Sequence, residues 1–351
     1  MTETPVVING HFRKQDVTGV QRYAREVVRG FRQKAYPHRY VEPPASIASN
    51  TLRQLWMQTV MPLKIRGDEL LWSPTNIGPV FNENQVITLH DISDQLYPQW
   101  FEDRYTRWRS LILPPLLKRV KGIITVSEYS KRTINEQFPQ TKGKVQVIYN
   151  GVRTDHFYPR EQEETDALRK GFNLQKPFIL TVGSIDPRKN IDGILEAWNR
   201  LPADITEEVE LVIAGGSIHT FSFEVDRDIA ESVRFLGYVS DDVLPGLYSA
   251  AELFVYPSLF EGFGLPVLEA MACGTPVVTS NTSALKELAQ GYALTVNPRK
   301  PEEIAGAIDH MIGSEELCED LAHRGQQYAQ GFQWNAAADK TYEYLVQKYR
   351  E

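Results

Sequence analysis

Short apolar runs alternate with amphipathic stretches along the first half of the chain, the pattern of repeated β-α units. Val6 to Asn9, Glu69 to Trp72, Val86 to His90, Gly122 to Val126 and Val145 to Tyr149 predict strands; Gly19 to Lys34, Thr106 to Val120 and Glu128 to Phe138 predict helices. Strands separated by helices predict a parallel sheet covered on both faces. From Arg153 to Lys176 the chain turns polar and charged, through Pro159 and Glu161-Gln162-Glu163-Glu164, and this stretch reads as a linker. The alternation then restarts. Pro177 to Val182, Glu210 to Ala214, Val233 to Leu236, Leu253 to Tyr256, Pro276 to Thr279 and Ala293 to Val296 predict strands. Helices are predicted near Ile191 to Asn199, Asp241 to Ser249, Leu265 to Ala272 and Glu302 to Ile312, with a last one over Asn335 to Tyr349. The pattern predicts an α/β chain of two doubly wound domains, 1–160 and 161–333, with the helix 334–351 packing back on the first. Ligands of such sheets bind at the carboxyl ends of the strands, so a cleft between the domains is expected.

Composition agrees with a soluble two-domain protein: 351 residues, 42% of them apolar and 24% charged. No apolar run approaches the ~20 residues that span a bilayer, and the chain enters a strand at once without a basic-then-apolar leader. Cys273 and Cys318 lack C-x-x-C partners, which points to a reducing, cytoplasmic setting without a structural zinc. The net charge of −7 is unevenly spread. Residues 1–160 carry 23 Lys and Arg against 14 Asp and Glu, and the remainder 15 against 31. A basic first half either faces something anionic or is an arbitrary spread of solvated charge. Tyr105 to Lys121 mixes basic, aromatic and aliphatic residues. It reads as a peripheral contact with an anionic membrane, or as a core helix with wet basic ends, interrupted at Pro114-Pro115.

Two segments carry chemistry. The predicted strand ending at Val182 runs into G-S-I-D-P-R-K-N, where Gly183 and Ser184 allow close backbone approach and Arg188 and Lys189 supply a fork and a point charge for phosphate. The strand ending at Tyr256 runs into S-L-F-E-G-F-G-L-P-V-L-E-A, Ser258 to Ala270. Its helix starts at about Leu265, with Pro266 in the first turn, where a missing N–H costs nothing. Helix-start N–H groups suit a phosphate. Glu261 and Glu269 flank that position and would repel a diphosphate unless each meets hydroxyls, as on a sugar and a ribose.

These segments, with F-L-G-Y-V-S-D-D at Phe235 to Asp242, resemble the retaining glycosyltransferases of family 4, also called group 1, which have the GT-B fold. The resemblance implies two Rossmann-like domains, a nucleoside diphosphate sugar as donor, and a glycan or lipid-linked saccharide as acceptor. It implies that Glu269 accepts from the ribose hydroxyls and that Glu261 holds a hydroxyl of the transferred sugar beside the N–H groups of Phe263 and Gly264. Leu265, Arg188 and Lys189 would meet the diphosphate, and Tyr238 and Val239 the base. In the first half, Gly19 of V-T-G-V-Q-R-Y resembles the glycine loop facing the diphosphate, although Gln21 stands where G-x-G has its second glycine. Arg22, Tyr23, Asn76 and Asp91 are acceptor candidates. His90 resembles a strand-end histidine near the reacting carbon, acting by hydrogen bond or dipole rather than as a proton carrier.

The expected reaction moves a hexose, with mannose from GDP-mannose as first choice, with retained configuration. No cofactor or metal is expected, and no nucleic acid partner. Asp226 and Asp228 form a D-x-D but follow a charged loop and read as surface. Alanine at Arg188, Lys189 or Glu261 is expected to lower transfer by orders of magnitude with the fold intact. A GT-B epimerase or phosphorylase, or a regulator that binds the donor without turnover, remain alternatives. An NAD-dependent oxidoreductase fits poorly, because G-x-G-x-x-G follows neither first strand.

Overall fold

The computed structural model describes residues 6–15, 18–47, 49–184, 186–215 and 232–351. Asp226 and Asp228 lie outside the described residues. The chain divides into two compact units, Met1–Gly151 with Gln333–Glu351, and Val152–Phe332.

In the first unit, β1 (Val6–Asn9), β2 (Arg39–Val41), β3 (Leu70–Ser73), β4 (Gln85–Thr88), β5 (Gly122–Thr125) and β6 (Val145–Val147) form a parallel sheet of order β2-β1-β3-β4-β5-β6. β1, β3, β4 and β5 are buried along their whole length, as strands with helices on both faces must be. Val7, Leu71, Ile87 and Ile123 pack with Leu113, Leu116 and Leu117 on one side. The helix Gly19–Gln33 packs against the closing helix Trp334–Arg350, so residues far apart in sequence share one layer. Tyr344 of that closing helix donates to Lys144 O at 2.8 Å.

In the second unit, β7 (Phe178–Val182), β8 (Glu210–Ala214), β9 (Val233–Gly237), β10 (Leu253–Tyr256), β11 (Val277–Ser280) and β12 (Leu294–Val296) form a parallel sheet of order β12-β11-β10-β7-β8-β9. This is the doubly wound order in which chain direction reverses between the first and fourth strands, here β7 and β10. Trp198, Leu211, Ile213, Val255 and Val278 belong to its core.

Three expectations require correction. The charged linker is largely the helix Gln162–Gly171, with Glu163 and Glu164 in its first turn and Arg169 and Lys170 in its last, so its charges complement the helix dipole. The division falls at Gly151 and Val152, not at 160, because 152–160 pack on the second unit. Phe157 meets Tyr248 edge-on at 6.1 Å, and Arg160 N–H donates to Ser249 Oγ at 3.1 Å. Finally, Asp103–Arg119 is one helix running through Pro114 and Pro115. Their missing N–H groups leave the carbonyls of Ser110 and Leu111 without helix donors, and both those residues are exposed, where water can serve. Sequence periodicity also misses β2, which is three residues long and half polar. Among the described residues no helix is long and apolar enough to cross a membrane.

Candidate functional site

The donor candidates of the second unit gather where its sheet reverses. β7 delivers Gly183 to Lys189, and its neighbour β10 delivers Ser258 to Leu265. The two segments are tied together: Leu259 N–H donates to Arg188 O at 2.7 Å. Asn190 takes a left-handed conformation (φ 58°) that Asn tolerates better than most residues. Its amide donates to Pro257 O at 3.1 Å and to Pro298 O at 2.7 Å, pinning the turn to the ends of β10 and β12.

Lys189 Nζ donates to Glu261 Oε1 and to Tyr256 Oη, each at 2.6 Å, and Tyr256 in turn donates to Glu261 Oε1 at 2.8 Å. The lysine and glutamate side chains are 17% and 14% exposed. Burial opposes the charge on Lys189, but Glu261 and Tyr256 outweigh it and hold the ammonium's pKa above the ordinary value. Burial likewise opposes the charge on Glu261; Lys189 outweighs that and holds the carboxyl below the usual range. Burial and the adjoining carboxylate push the Tyr256 phenol up. Gly183 leaves room for this arrangement, since a Cβ there would stand 3.2 Å from Lys189 Cγ. The Glu261 backbone N–H donates to Ser283 Oγ at 3.2 Å.

Arg188 is held by Asp186, whose Oδ2 accepts from Nε at 2.9 Å and whose Oδ1 accepts the Arg188 backbone N–H at 3.0 Å. Burial opposes the charge on Asp186, and Arg188 overcomes it to keep the carboxyl below its usual value. The sequence suggests two cations aimed at a ligand. The folded site instead pairs each cation with a carboxylate, so its local charge is close to neutral.

The helix Leu265–Ala272 starts where the sequence predicts, behind Gly264 at φ 111°. A side chain at 264 would be strained by that angle and would meet Leu285 Cδ2 at 2.6 Å. Phe263 is buried beside Phe332. Glu269, one turn into the helix, is buried and accepts from Tyr248 Oη at 3.3 Å. Beyond β9, Tyr238 is 87% exposed and Val239 is buried.

Most candidates of the first unit are tied into its own packing and hydrogen bonds. Tyr23, expected at an acceptor, is fully buried, packs edge-on against His90 at 4.7 Å, and has its phenol pushed up to about 12 by burial. It faces inward because it lies on the apolar stripe of Gly19–Gln33 with Ala24, Val27 and Phe31. His90 is buried, with Nε2 3.1 Å from Pro74 O and its backbone N–H donating to Asn76 Oδ1 at 2.7 Å. Burial lowers its pKa to about 4, so it is neutral at neutral pH. Asp91 accepts from the Ser93 N–H at 2.8 Å and the Ser93 hydroxyl at 2.7 Å. Asn76 is left-handed (φ 59°), and its carbonyl accepts from Arg109 Nη1 at 2.7 Å. Arg109 also donates to Asp94 at 3.1 Å in a pair 3% and 6% exposed. Gly19 opens its helix exposed, and Arg22 is half-buried one turn on. Gln21, the departure from G-x-G, accepts the Thr18 N–H at 3.2 Å and so caps the helix start.

Sequence reasoning missed Tyr256, Asp186, Asn190 and Ser283. The sequence signal for Tyr256 is only a polar tip at the end of an apolar run, which does not name its partner. Among the described residues no cluster of three or more His, Cys, Asp or Glu is arranged to hold a metal ion.

The sequence profile described as glycosyl transferases group 1 matches residues 162–328, and that of glycosyltransferase family 4 matches residues 78–156. O-antigen chain mannosyltransferase B of Escherichia coli is 33% identical over 294 residues, covering 82% of this chain and 76% of the relative. O-antigen chain mannosyltransferase RfbU of Salmonella typhimurium is 31% identical over 264 residues, covering 73% and 68%. The structure of sucrose-phosphate synthase from Thermosynechococcus elongatus superposes with a TM-score of 0.77 at 20% identity, over 98% of this chain and 99% of that one, a likeness of fold that gives the architecture as GT-B. With its motifs assembled at a sheet reversal and relatives matching both units, the chain belongs to the group 1 glycosyltransferases.

Proposed function

We propose that this glycosyltransferase moves mannose from GDP-mannose to a glycan or lipid-linked saccharide with retention at the anomeric carbon, the second unit taking the donor and the first the acceptor. The observation that carries the reading is the Lys189-Glu261-Tyr256 triangle at the β7/β10 reversal. An ammonium has three N–H donors, and two are engaged by Glu261 and Tyr256. The third is available to a phosphate oxygen, while Glu261 accepts from a sugar hydroxyl. The Leu265 helix start and Arg188 add donors for the diphosphate, and Glu269 takes the ribose hydroxyls beside Tyr238 and Val239.

Breaking the bond from C1 to the diphosphate oxygen puts negative charge on the leaving group and oxocarbenium character on the sugar. Positioned donors stabilise that charge as it develops. The acceptor oxygen bonds to C1 on the face the diphosphate leaves, and its proton passes to the leaving phosphate oxygen. No carboxylate base is then needed, and two protein cations serve without a metal. Mannose is supported by the two O-antigen chain mannosyltransferases among the relatives.

A thermal-shift panel of GDP-, UDP-, dTDP- and ADP-sugars tests the donor. At a hundredfold excess over Kd, a ligand stabilises by about 2.7 kcal/mol, a Tm rise of about 5–10 °C for a unit of this size. GDP-mannose is expected to give it, and a shift with UDP-glucose alone overturns the assignment. Proton NMR of the product reads the anomeric configuration; inversion overturns retention. We further propose peripheral contact with anionic membrane through the basic first half; equal binding to neutral and anionic vesicles at low salt overturns it.

A further inference from the structure

The first sheet has a reversal of its own, between β1 and β3. The segments leaving the carboxyl ends of those strands wall a pocket of about 220 Å³. His11 follows β1, and Thr75 and Asn76 follow β3; Gln54 comes from the helix Asn50–Thr59, and Tyr105 and Trp108 from Asp103–Arg119. The pocket stands at the place where doubly wound sheets bind ligands.

Two polar atoms of these lining residues, His11 Nε2 and Gln54 Oε1, are buried and have no hydrogen-bond partner among the described residues. His11 as a whole is 2% exposed. Most buried polar atoms in folded proteins are paired, so two orphans in the lining of one pocket mark a missing partner. The rest of the lining is largely committed. Gln21 caps its helix, Asn76 Oδ1 holds the His90 N–H, and the charge of Arg109 is met by Asp94.

The chemistry of the missing partner follows from what these atoms accept. Gln54 Oε1 can only accept, which disfavours a phosphate oxygen. Among the described residues no carboxylate lines the pocket, so none of them offers a cation its counter-charge. Burial and the nearby positive charge of Arg53 lower the His11 pKa, leaving a neutral ring. A hydroxyl donates to Gln54 and either donates to or accepts from the imidazole, whichever tautomer is present. The rings of Tyr105 and Trp108, 6.3 Å apart, offer apolar faces to the C–H side of a pyranose.

We propose that this pocket takes one neutral pyranose ring of the acceptor saccharide, with His11 and Gln54 as the residues that select it. The assignment rests on the reading of the first unit as the acceptor side, and its test is separable from the donor's. Saturation-transfer NMR on the full chain with methyl α-mannopyranoside at tens of millimolar reads the pocket directly. The wild type is expected to show transfer to the ring protons. Gln54→Leu is expected to lose about tenfold in affinity, the equivalent of one hydrogen bond. Gln54→Glu, which still accepts, retains binding and shows that the loss is not a folding defect; His11→Phe weakens it. Absence of transfer in the wild type overturns the proposal. So does an unchanged signal in folded Gln54→Leu, loss of binding in Gln54→Glu with its Tm unchanged, or displacement of the sugar by inorganic phosphate. Pyranoside binding that depends on Gln54, in a chain that GDP-mannose does not stabilise, would sink the donor assignment and leave the pocket standing; the converse would sink the pocket alone.

Discussion

Replacing Lys189 by alanine strands the Glu261 carboxylate, 14% exposed, with Tyr256 as its remaining side-chain partner in the triangle. Breaking a buried ion pair by removing one member costs about 3–5 kcal/mol, and partial exposure places this one near the lower figure, about 3. For a unit of this size that lowers Tm by roughly 6–12 °C, at 2–4 °C per kcal/mol. The expectation from sequence, that Lys189→Ala removes transfer with the fold untouched, is thereby revised: the same side chain supports both. The assay is calorimetric unfolding of the wild type, Lys189→Met, Glu261→Gln and the double variant. Each single variant is expected to lose most of that stability, and the double variant less than the sum, because two neutral groups leave no uncompensated charge. A coupling of about 2 kcal/mol is expected; additivity to within ~0.5 kcal/mol refutes the reasoning. The pH dependence has a definite sign. The Glu261 pKa is depressed, so its contribution is complete above the ordinary carboxylate value and is lost as pH falls through the lower folded value. The Lys189 pKa is raised, so its contribution is complete below the ordinary lysine value and is lost only as pH rises through the higher folded one. The pair's own contribution in the wild type is therefore expected to be flat from about pH 5 to 9.

Gly264→Ala forces a left-handed alanine into contact with Leu285, at a cost of about 1–3 kcal/mol; it is expected to lower Tm and to weaken the donor-induced shift, and an unchanged shift would separate the helix start from donor binding. Tyr23→Ala empties a core site for about 3–5 kcal/mol by denaturant titration, while Tyr23→Phe keeps the packing and is expected to retain the acceptor KM; a large rise in that KM would restore Tyr23 to the acceptor. Arg109→Ala strands buried Asp94 and releases Asn76 O, for about 3–5 kcal/mol, and a loss under 1 kcal/mol would show that the pair contributes little.

Much of the candidate site was legible because its parts lie close in sequence to the strands that present them. Glycines and a first-turn proline announced a helix starting at about Leu265, where the structure has it. The polar partners were not legible, since pairing depends on which strands lie side by side. Tyr256 reads as one more apolar-run residue until β10 is placed beside β7, where its hydroxyl meets the ammonium of a residue 67 positions away.

The amino-acid order alone determined the alternation of strands and helices, the restart after the charged segment and the glycine-bearing loops of the candidate site, because periodicity and turn residues act over a few neighbours. The tertiary structure decided three things that pattern could not. The charged stretch at 162–171 became a helix of the second unit, the division between the units fell at Gly151 and Val152, and each candidate cation acquired a carboxylate. The physical reason is common to all three: burial and charge pairing are set by what packs against a residue, and that neighbour is named by the fold rather than by the adjoining sequence.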